Sequence, residues 1–196
     1  LQDMRFDADG RLFYDQLHPE GILGDQTAVN GKIQPVLRVA RRKYRLRLAN
    51  GGPSRFYTLH VITQVSGRMT QQPFTRIATD GNLLPRALFN QKRIEISPAE
   101  RADIVMDFSM YPIGTELFLV DRQIQDDTRG PRDGLGPNRR ILKIVVDREP
   151  PEPDASRVPI VLRALPPITA AERASAPVRV FAFDRTNGQW AINNEL

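Results

Sequence analysis

Residues 42–61 have the sequence RKYRLRLANGGPSRFYTLHV, and this stretch decides the fold class. Its first half alternates Tyr44, Leu46 and Leu48 with charged residues, a period of two that places one face of a β-strand in the core and the other in water. The turn-forming run Asn-Gly-Gly-Pro then ends that strand, and a second run of β-forming residues follows. The pattern predicts two core strands that pair as a hairpin.

Short runs of β-forming residues bounded by turn residues continue in both directions from this stretch. We expect further strands over residues 4–6, 11–14, 27–29, 32–33, 36–39, 74–79, 92–96, 102–108, 116–121, 140–146, 158–164, 178–183 and 190–192. Polar loops are expected over 64–72 and 122–138, a proline-rich tether over 147–156, and one short helix between Pro166 and Pro177. The prediction is an all-β, Greek-key sandwich or barrel with little helix.

The composition is that of an ordinary globular chain rather than a disordered or membrane-spanning one. Of its 196 residues, 40% are hydrophobic and 26% are charged. No apolar run approaches the ~20 residues that cross a bilayer, so no membrane partner is expected. The net charge of +5 permits binding to nucleic acid without requiring it.

Two basic clusters bear on nucleic-acid binding, one within residues 38–47 and one within residues 122–140. A single-strand binding surface interleaves aromatic and basic side chains on the same face. Here Tyr44 falls on the strand face opposite Arg45 and Arg47. A solvated basic face is the preferred interpretation and no nucleic-acid partner is expected, while a basic nucleic-acid-binding β-module stays open as an alternative.

The available metal ligands argue against a metal site in this chain. It has no cysteine and two histidines, His18 and His60, which lie far apart and outside any HxH or HExxH motif. A blue-copper site needs one thiolate and two imidazoles, so the chain has too few ligands to build one. His60 is expected to be a partly buried, hydrogen-bonded strand residue, and His18 an exposed loop residue.

The acidic residues give no catalytic pair. Asp103 and Asp107 are four apart on a predicted strand, about 13 Å by strand rise, which is too far for the two carboxylates of a glycosidase. We expect a solvated sheet edge there. Asp126 and Asp127, with Glu20, form at most a weak calcium site, and a charged loop is the preferred interpretation. No catalytic residue is predicted in this chain.

Several blocks, in the same order along the chain, resemble one known family. They are LQDMRFDADGRLFYD (1–15), GDQTAVNGKIQPVLRVARRKYRLRLANGGPSRFYTLHV (24–61), IATDGNLLP (77–85) and SPAERADIVMDF (97–108). Together they resemble the middle, second cupredoxin-like domain of bacterial multicopper oxidases, nearest to spore-coat laccases, bilirubin oxidases and phenoxazinone synthase. The resemblance runs nearly end to end and implies a single cupredoxin-like domain over residues 1–196.

The resemblance implies a division of labour within a longer protein. In this family the first and third domains hold the coppers. It therefore implies no cofactor in this chain, copper in the flanking domains of a laccase-like oxidoreductase, and no oxidase activity for the chain alone. It also implies that the flanking domains are the partners, that an isolated piece self-associates through exposed interdomain surface, and that the parent protein is exported (periplasmic, secreted or in the spore coat). A copper-free structural protein of the same fold stays open as an alternative.

The resemblance further implies which segments do what. Residues 1–147 are expected to form the main barrel, 148–177 a proline-rich connection, and 178–196 terminal strands that lead to the next domain. The family's middle domain lends wall residues to the substrate pocket, and the candidate residues for that pocket rim are Arg122, Gln123, Asp126, Asp127 and Arg129. Glu100 and Arg101 are expected to form a structural turn in which Arg101 donates to nearby carbonyls.

Overall fold

The computed structural model describes residues 1–14, 18, 21–65 and 67–195. They divide into two compact units, Leu1–Arg163 and Ala164–Leu196. Apart from Ala191, every buried apolar side chain of the described residues lies in the first unit. The hydrophobic core is therefore a property of the first unit alone.

The described residues contain fifteen strands, one 3-10 turn and one short α-helix. The strands are β1 (Gln2–Met4), β2 (Gln26–Val29), β3 (Lys32–Ile33), β4 (Val36–Ala40), β5 (Lys43–Ala49), β6 (Tyr57–Val65), β7 (Arg68–Gln72), β8 (Phe74–Thr79), β9 (Asn82–Gln91), β10 (Ile94–Ile96), β11 (Arg101–Asp107), β12 (Glu116–Ile124), β13 (Arg132–Arg148), β14 (Phe183–Thr186) and β15 (Gln189–Ile192). The 3-10 turn is Phe108–Met110, directly after β11.

The helix α1 (Ala170–Ser175) confirms the short helix predicted between Pro166 and Pro177. It begins at a capping box, in which the Thr169 side chain accepts from the backbone N–H of Glu172 and the Glu172 carboxylate accepts from the backbone N–H of Thr169. In the part of the chain that the structure describes, no helix has the length and apolar character to cross a membrane.

Two sheets face each other in the first unit and enclose the core. One has the strand order β10-β6-β12-β13-β4, with β7 also paired to β6, and the other has the order β5-β11-β8-β9. Strand pairs are antiparallel except β13 with β4, which run parallel. Leu59 and Leu117 from the first sheet and Ile104 and Met106 from the second are at most 1% exposed and belong to one cluster. This architecture confirms the predicted all-β sandwich.

The predicted pairing of β5 with β6 is wrong, although the predicted buried face of β5 is right. β5 pairs with β11 in one sheet, whereas β6 pairs with β10, β12 and β7 in the other. Residues 50–56 cross between the sheets because the buried Asn50 side chain holds them, with its Nδ2 donating to the carbonyls of Arg55 (2.6 Å) and Ile96 (3.2 Å). The alternate apolar side chains of β5 still pack against the core, as predicted.

Two segments predicted to be loops are largely strand. Residues 64–65 end β6 and residues 68–72 form β7, with Gly67 in a turn and Ser66 outside the described residues. Residues 122–138 span the end of β12, a turn and the start of β13. Their side chains are mostly exposed or half-buried. Because these strand ends extend past the core, they lack the apolar alternation by which a strand is recognised in a sequence.

Two strand predictions near the end of the chain are wrong in part. The segment predicted as a strand over 158–164 is not one. Residues 160–163 form only isolated backbone hydrogen bonds with β9, the Ala87 N–H donating to Ile160 and the Leu162 N–H to Pro85, each at 2.9 Å. Pro85 in β9 and Pro159 in the adjacent segment lack an N–H, so a continuous ladder is not available there. Residues 178–182 precede β14 and are not strand.

Strand β11 is covered on both faces, which corrects the solvated edge predicted at Asp103. It lies between β5 and β8 and is an interior strand of its sheet. On its outer face, Val105, Val158 and Leu162 pack around a second, smaller buried cluster. Asp103, on the same outer face, is 6% exposed and pairs with Arg45.

We predict that alanine substitutions at Ile104 and at its register partner Leu46 lower the free energy of unfolding by different amounts. Ile104→Ala should lower the free energy of unfolding by about 2–5 kcal/mol, because Ile104 is fully buried in an interior strand. Leu46→Ala should cost about 2 kcal/mol, the low end of that range, because β5 is an edge strand and Leu46 is half-buried. Urea unfolding measures both variants.

The matched control is Arg47→Ala, on the exposed face of the same strand, which should change stability by no more than about 0.5 kcal/mol. A cost at Arg47 that exceeded the cost at Leu46 would mean that the buried face of β5 is inverted.

Candidate functional site

The five candidate rim residues all lie on the β12–β13 hairpin. Arg122 and Gln123 lie in β12, and Asp126, Asp127 and Arg129 lie in the turn between β12 and β13. The structure thus brings all five to one hairpin, with the first two at its base and the other three at its tip. The predicted polar loop over 122–138 is a β-hairpin that projects past the core.

The two base residues bond within the first unit. Gln123 Oε1 accepts from the Thr58 hydroxyl at 2.6 Å, and its Nε2 donates to two backbone carbonyls of the hairpin, each at 3.1 Å. Arg122 Nε donates to the Gly136 carbonyl on the opposite strand at 2.9 Å. The polar atoms of Arg122 and Gln123 therefore fix the shape of the hairpin.

Asp121 is the buried anchor of this hairpin. Its side chain is 2% exposed. One carboxylate oxygen accepts from the backbone N–H groups of Thr58 (3.0 Å) and Gln123 (2.9 Å), and the other pairs with Arg139 at 2.5 Å. The carboxylate thereby joins β6, β12 and β13 at the point where the hairpin leaves the core. Sequence reasoning missed this role because a single Asp at the end of an apolar strand resembles an ordinary strand terminus.

Gln125 ties the hairpin to the crossover between the sheets. It is 7% exposed. Its Oε1 accepts from the backbone N–H of Phe56 at 2.9 Å, and its Nε2 donates to the carbonyl of Ser54 at 2.9 Å. A glutamine in a polar segment carries no sequence signal for this, so sequence reasoning missed it. The hairpin is fixed to the sandwich both at Asp121 and at Gln125.

The tip presents charged groups to water. Asp126 pairs with Arg132 at 3.1 Å, and both side chains are more than half exposed. Asp127 Oδ1 accepts from the backbone N–H of Arg129 at 3.0 Å, which closes an Asx-type turn. Exposed carboxylates and guanidiniums at a loop tip are suited to hydrogen-bonding a polar ligand or a neighbouring domain. The calcium alternative also involves Glu20, which lies outside the described residues.

His60 is a buried neutral histidine on β6. It is 2% exposed, and its Nδ1 lies 3.1 Å from Nε2 of Gln71. Because an amide nitrogen donates, the tautomer that suits this contact carries its proton on Nε2. Burial lowers the pKa of His60, and the positive charges of Arg122 and Arg93 lower it further. A hydrogen bond with the Lys92 backbone acts in the opposite direction and raises that pKa. The ring is thus held in its uncharged form.

The two histidines of this chain lie in different surroundings. His60 is buried against Gln71, and His18 is exposed in a loop as predicted. The sequence has no cysteine to supply a thiolate. Within the described residues, no three His, Cys, Asp or Glu side chains converge to hold a metal ion.

The structural turn predicted at Glu100 and Arg101 covers residues 97–100, where the Glu100 N–H donates to the Ser97 carbonyl at 3.0 Å, and Arg101 begins β11. The Glu100 carboxylate accepts from the backbone N–H (2.8 Å) and hydroxyl (2.9 Å) of Ser97. Arg101 donates to the carbonyls of Ala99 (2.9 Å) and Asp80 (3.4 Å). These contacts confirm that Arg101 bonds to nearby carbonyls.

The second unit presents an unusually apolar surface. Its exposed large hydrophobic side chains include Val178 (91%), Phe183 (78%) and Trp190 (69%), which lie in or near the β14–β15 hairpin. Arg185 stacks over the Trp190 ring at 4.3 Å. Apolar side chains exposed to this extent on one short hairpin mark a surface suited to contact with other protein.

Comparison with curated proteins gives a consistent set of relatives. The chain is 31% identical over 193 residues to a bilirubin oxidase from Albifimbria verrucaria, which covers 98% of this chain and 33% of that protein. It is 30% identical over 182 residues to a laccase from Bacillus stratosphericus, and this match covers 86% of this chain and 33% of that laccase. A shorter match, 39% over 107 residues, is to the cell division protein FtsP of Gallibacterium anatis, covering 55% and 21%. The chain spans about a third of the length of the first two relatives.

Solved structures give the same picture. A laccase from Pediococcus acidilactici has a TM-score of 0.72 at 30% identity, over 100% of this chain and 37% of that one. The multicopper oxidase McoA from Aquifex aeolicus has a TM-score of 0.79 at 24% identity, over 99% of this chain and 39% of that one. This likeness shows that the two chains share a fold. No family model matches the chain.

We predict that Asp121→Ala destabilises the chain by about 2–4 kcal/mol. The substitution leaves the buried N–H groups of Thr58 and Gln123 without an acceptor and removes the partner of Arg139. The control is Asp126→Ala, which breaks an exposed pair and should cost less than about 1 kcal/mol. Equal costs in urea unfolding would contradict the anchoring role of Asp121.

We predict a pH-dependent stability component from His60. The pKa of His60 in the folded chain lies below the ordinary value of 6.5. Below pH 6.5, His60 is therefore protonated in the unfolded chain but still uncharged in the folded chain. The contribution of His60 to the free energy of unfolding is fully present above pH 6.5 and is lost as the pH falls toward the lower folded pKa. Its slope is at most about 1.4 kcal/mol per pH unit.

His60→Gln should remove this slope. Unfolding by urea at about pH 7.5 gives the structural cost of the substitution, and the change between about pH 7.5 and pH 5.5 isolates the protonation effect. If the wild type and the variant lose stability in parallel over that range, the buried ring is not the origin of the slope.

Proposed function

We propose a function that proceeds from one premise: this chain belongs to the multicopper oxidase family, of which it is a cupredoxin-like domain. On that premise, it is the middle domain of a three-domain protein, holds no copper, and bridges two neighbouring domains that do. The parent protein is then a laccase-like oxidoreductase that oxidises phenolic or similar substrates and reduces O₂ to water. The chain alone is inactive, and the parent is exported.

One observation carries this proposal. The chain aligns over 98% of its length with a third of a bilirubin oxidase, yet it contains two histidines and no cysteine. A blue-copper site takes two imidazoles and a thiolate, and a trinuclear cluster takes more imidazoles still. The redox-active ligands are therefore expected in the parts of the parent that this chain does not contain.

The surfaces of the chain suit a bridging role. The tip of the β12–β13 hairpin, with Asp126, Asp127 and Arg129, is our candidate for the rim of the parent's substrate pocket. Arg122 and Gln123 support that tip from the hairpin base through the hydrogen bonds given above. The exposed apolar side chains of residues 178–192 are the proposed contact with a flanking domain, and in the isolated chain they favour self-association.

A second candidate function follows from the match to FtsP, a cell division protein, at 39% identity. On this proposal the parent is a copper-free structural protein of the same fold. The two candidates differ in the flanking domains: paired HxH motifs and a His-Cys-His block belong to the oxidase, and their absence belongs to the structural protein.

Copper analysis tests the proposal. We predict that the 196-residue chain, incubated with Cu²⁺ and desalted, retains less than about 0.1 copper per chain and consumes no O₂ with 2,6-dimethoxyphenol. The full-length parent, treated in the same way, should retain copper and oxidise the phenol. Stoichiometric copper in the chain alone would contradict the copper-free assignment, and a full-length parent that retained none would favour the structural candidate.

A further inference from the structure

An open groove of about 490 Å³ lies in the first unit between the two sheets. It opens between β4 and β5, each of which is the last strand of its sheet. In the described residues, β4 pairs with β13 and β5 pairs with β11, and neither has a second strand beside it. The groove therefore lies between two sheet edges. Two backbone groups of β5 already have partners: the Ala49 carbonyl accepts from the Leu1 amino group at 2.6 Å, and the Lys43 N–H donates to the Asp154 carboxylate at 2.7 Å. Between these two, at Arg45 and Arg47, the edge of β5 has no described strand beside it.

The lining of the groove follows the edge of β5 rather than one of its faces. The five successive residues from Arg45 to Ala49 all line it. Successive side chains of a strand point to opposite faces, so a cavity lined by an unbroken run of them runs along the strand's edge. The free side of the β5 backbone, between the paired groups of Lys43 and Ala49, thus forms part of the groove wall.

The floor of the groove is apolar. Leu37, Leu46, Leu48 and Leu142 line it, and all four are half-buried side chains packed against the main core. Half-buried leucines alongside a free strand edge offer sites for the alternate side chains of an added strand.

The rim of the groove is positively charged. Among its described lining residues, Lys32, Arg45 and Arg47 are basic and none is acidic. Arg45 and Arg47 share a single carboxylate, that of Asp103, with the Arg47 contact at the longer distance of 3.6 Å. Two guanidiniums on one carboxylate leave one positive charge uncompensated, and the Arg47 side chain is 74% exposed.

We propose that this groove binds an extended peptide segment with alternating apolar and acidic side chains, which adds as a strand to the free edge of β5. Its apolar side chains would pack on the leucine floor, and its acidic side chains would pair with Arg45, Arg47 and Lys32. The same positive charges repel basic strands, which makes the exposed edge more selective in its pairing. The proposal rests on groove geometry and charge and does not depend on the proposed function.

Peptide binding to the 196-residue chain tests the proposal. The probe is a fluorescein-labelled peptide of about ten residues that alternates valine and glutamate, a length that matches an ordinary strand. Its counterpart alternates valine and lysine. In fluorescence anisotropy at low salt, the glutamate peptide should bind at least about tenfold more tightly than the lysine peptide, and the difference should shrink in about 1 M salt because charges in water are then screened.

Two further measurements separate strand addition from simple charge attraction. Methylating alternate backbone nitrogens of the glutamate peptide keeps its side chains but removes the donors of a strand ladder, and binding should be lost. Hydrogen exchange should show new protection at β5 amides when the unmodified peptide is bound. Equal binding of the methylated peptide, or protection elsewhere, would overturn the proposal.

Charge reversal gives the matched pair of variants. Arg47→Glu should weaken binding of the glutamate peptide by more than about threefold, since it removes the exposed rim charge. Arg93→Glu, a partly exposed arginine beside β10 at the far edge of the same sandwich, should leave the affinity unchanged. Equal effects of the two substitutions would overturn the proposal. A concentration-dependent dimer in which the edge of β5 pairs with a second copy of the chain and excludes the peptide would also overturn it.

Discussion

The buried side chain of Asn50 sets the architecture on which the rest of this chain depends. Its amide nitrogen donates to carbonyls of Arg55 and Ile96, and its amide oxygen accepts from the backbone N–H of Gly52 at 3.0 Å. Its backbone also bonds to Glu100 and Ala99, each at 3.0 Å. Five hydrogen bonds at one residue hold the chain where it leaves one sheet and enters the other. Without this crossover, β5 and β6 would be free to fold back on each other.

A second buried polar group secures the start of the chain to the same region. Asp3 and Arg55 form an ion pair at 3.3 Å with almost fully buried side chains, and both also bond to the backbone of Gly24. Gly52 is required here by space, because a Cβ at that position would lie 2.3 Å from an Asp3 carboxylate oxygen. Buried charges of this kind specify one arrangement because either partner left alone would be costly.

These polar clusters hold the core in one arrangement and leave charged and apolar groups at the surface. The β12–β13 hairpin is anchored by Asp121 and Gln125, so its charged tip is held out from the sandwich at a defined position. The second unit contributes exposed apolar side chains, and the β4–β5 groove contributes an unpaired edge with a basic rim. The sequence contains no cysteine to supply the thiolate of a blue-copper site.

The sequence by itself determined the fold class, most strand positions and the buried face of β5, because side-chain alternation is a local property of a strand. It also determined that the chain has no thiolate for a blue-copper site, since a count of cysteines needs no structure. The tertiary structure alone decided which strands pair. The Asn50 side chain donates to a carbonyl 46 residues away, which holds the crossover between the sheets in place of a β5–β6 hairpin. The Asp121 carboxylate accepts from a backbone N–H 63 residues away, which orders a segment with no apolar pattern. Contacts across such separations leave no periodic trace in the sequence, so the pairing of β5 and the order of the 122–138 hairpin became visible only in the fold.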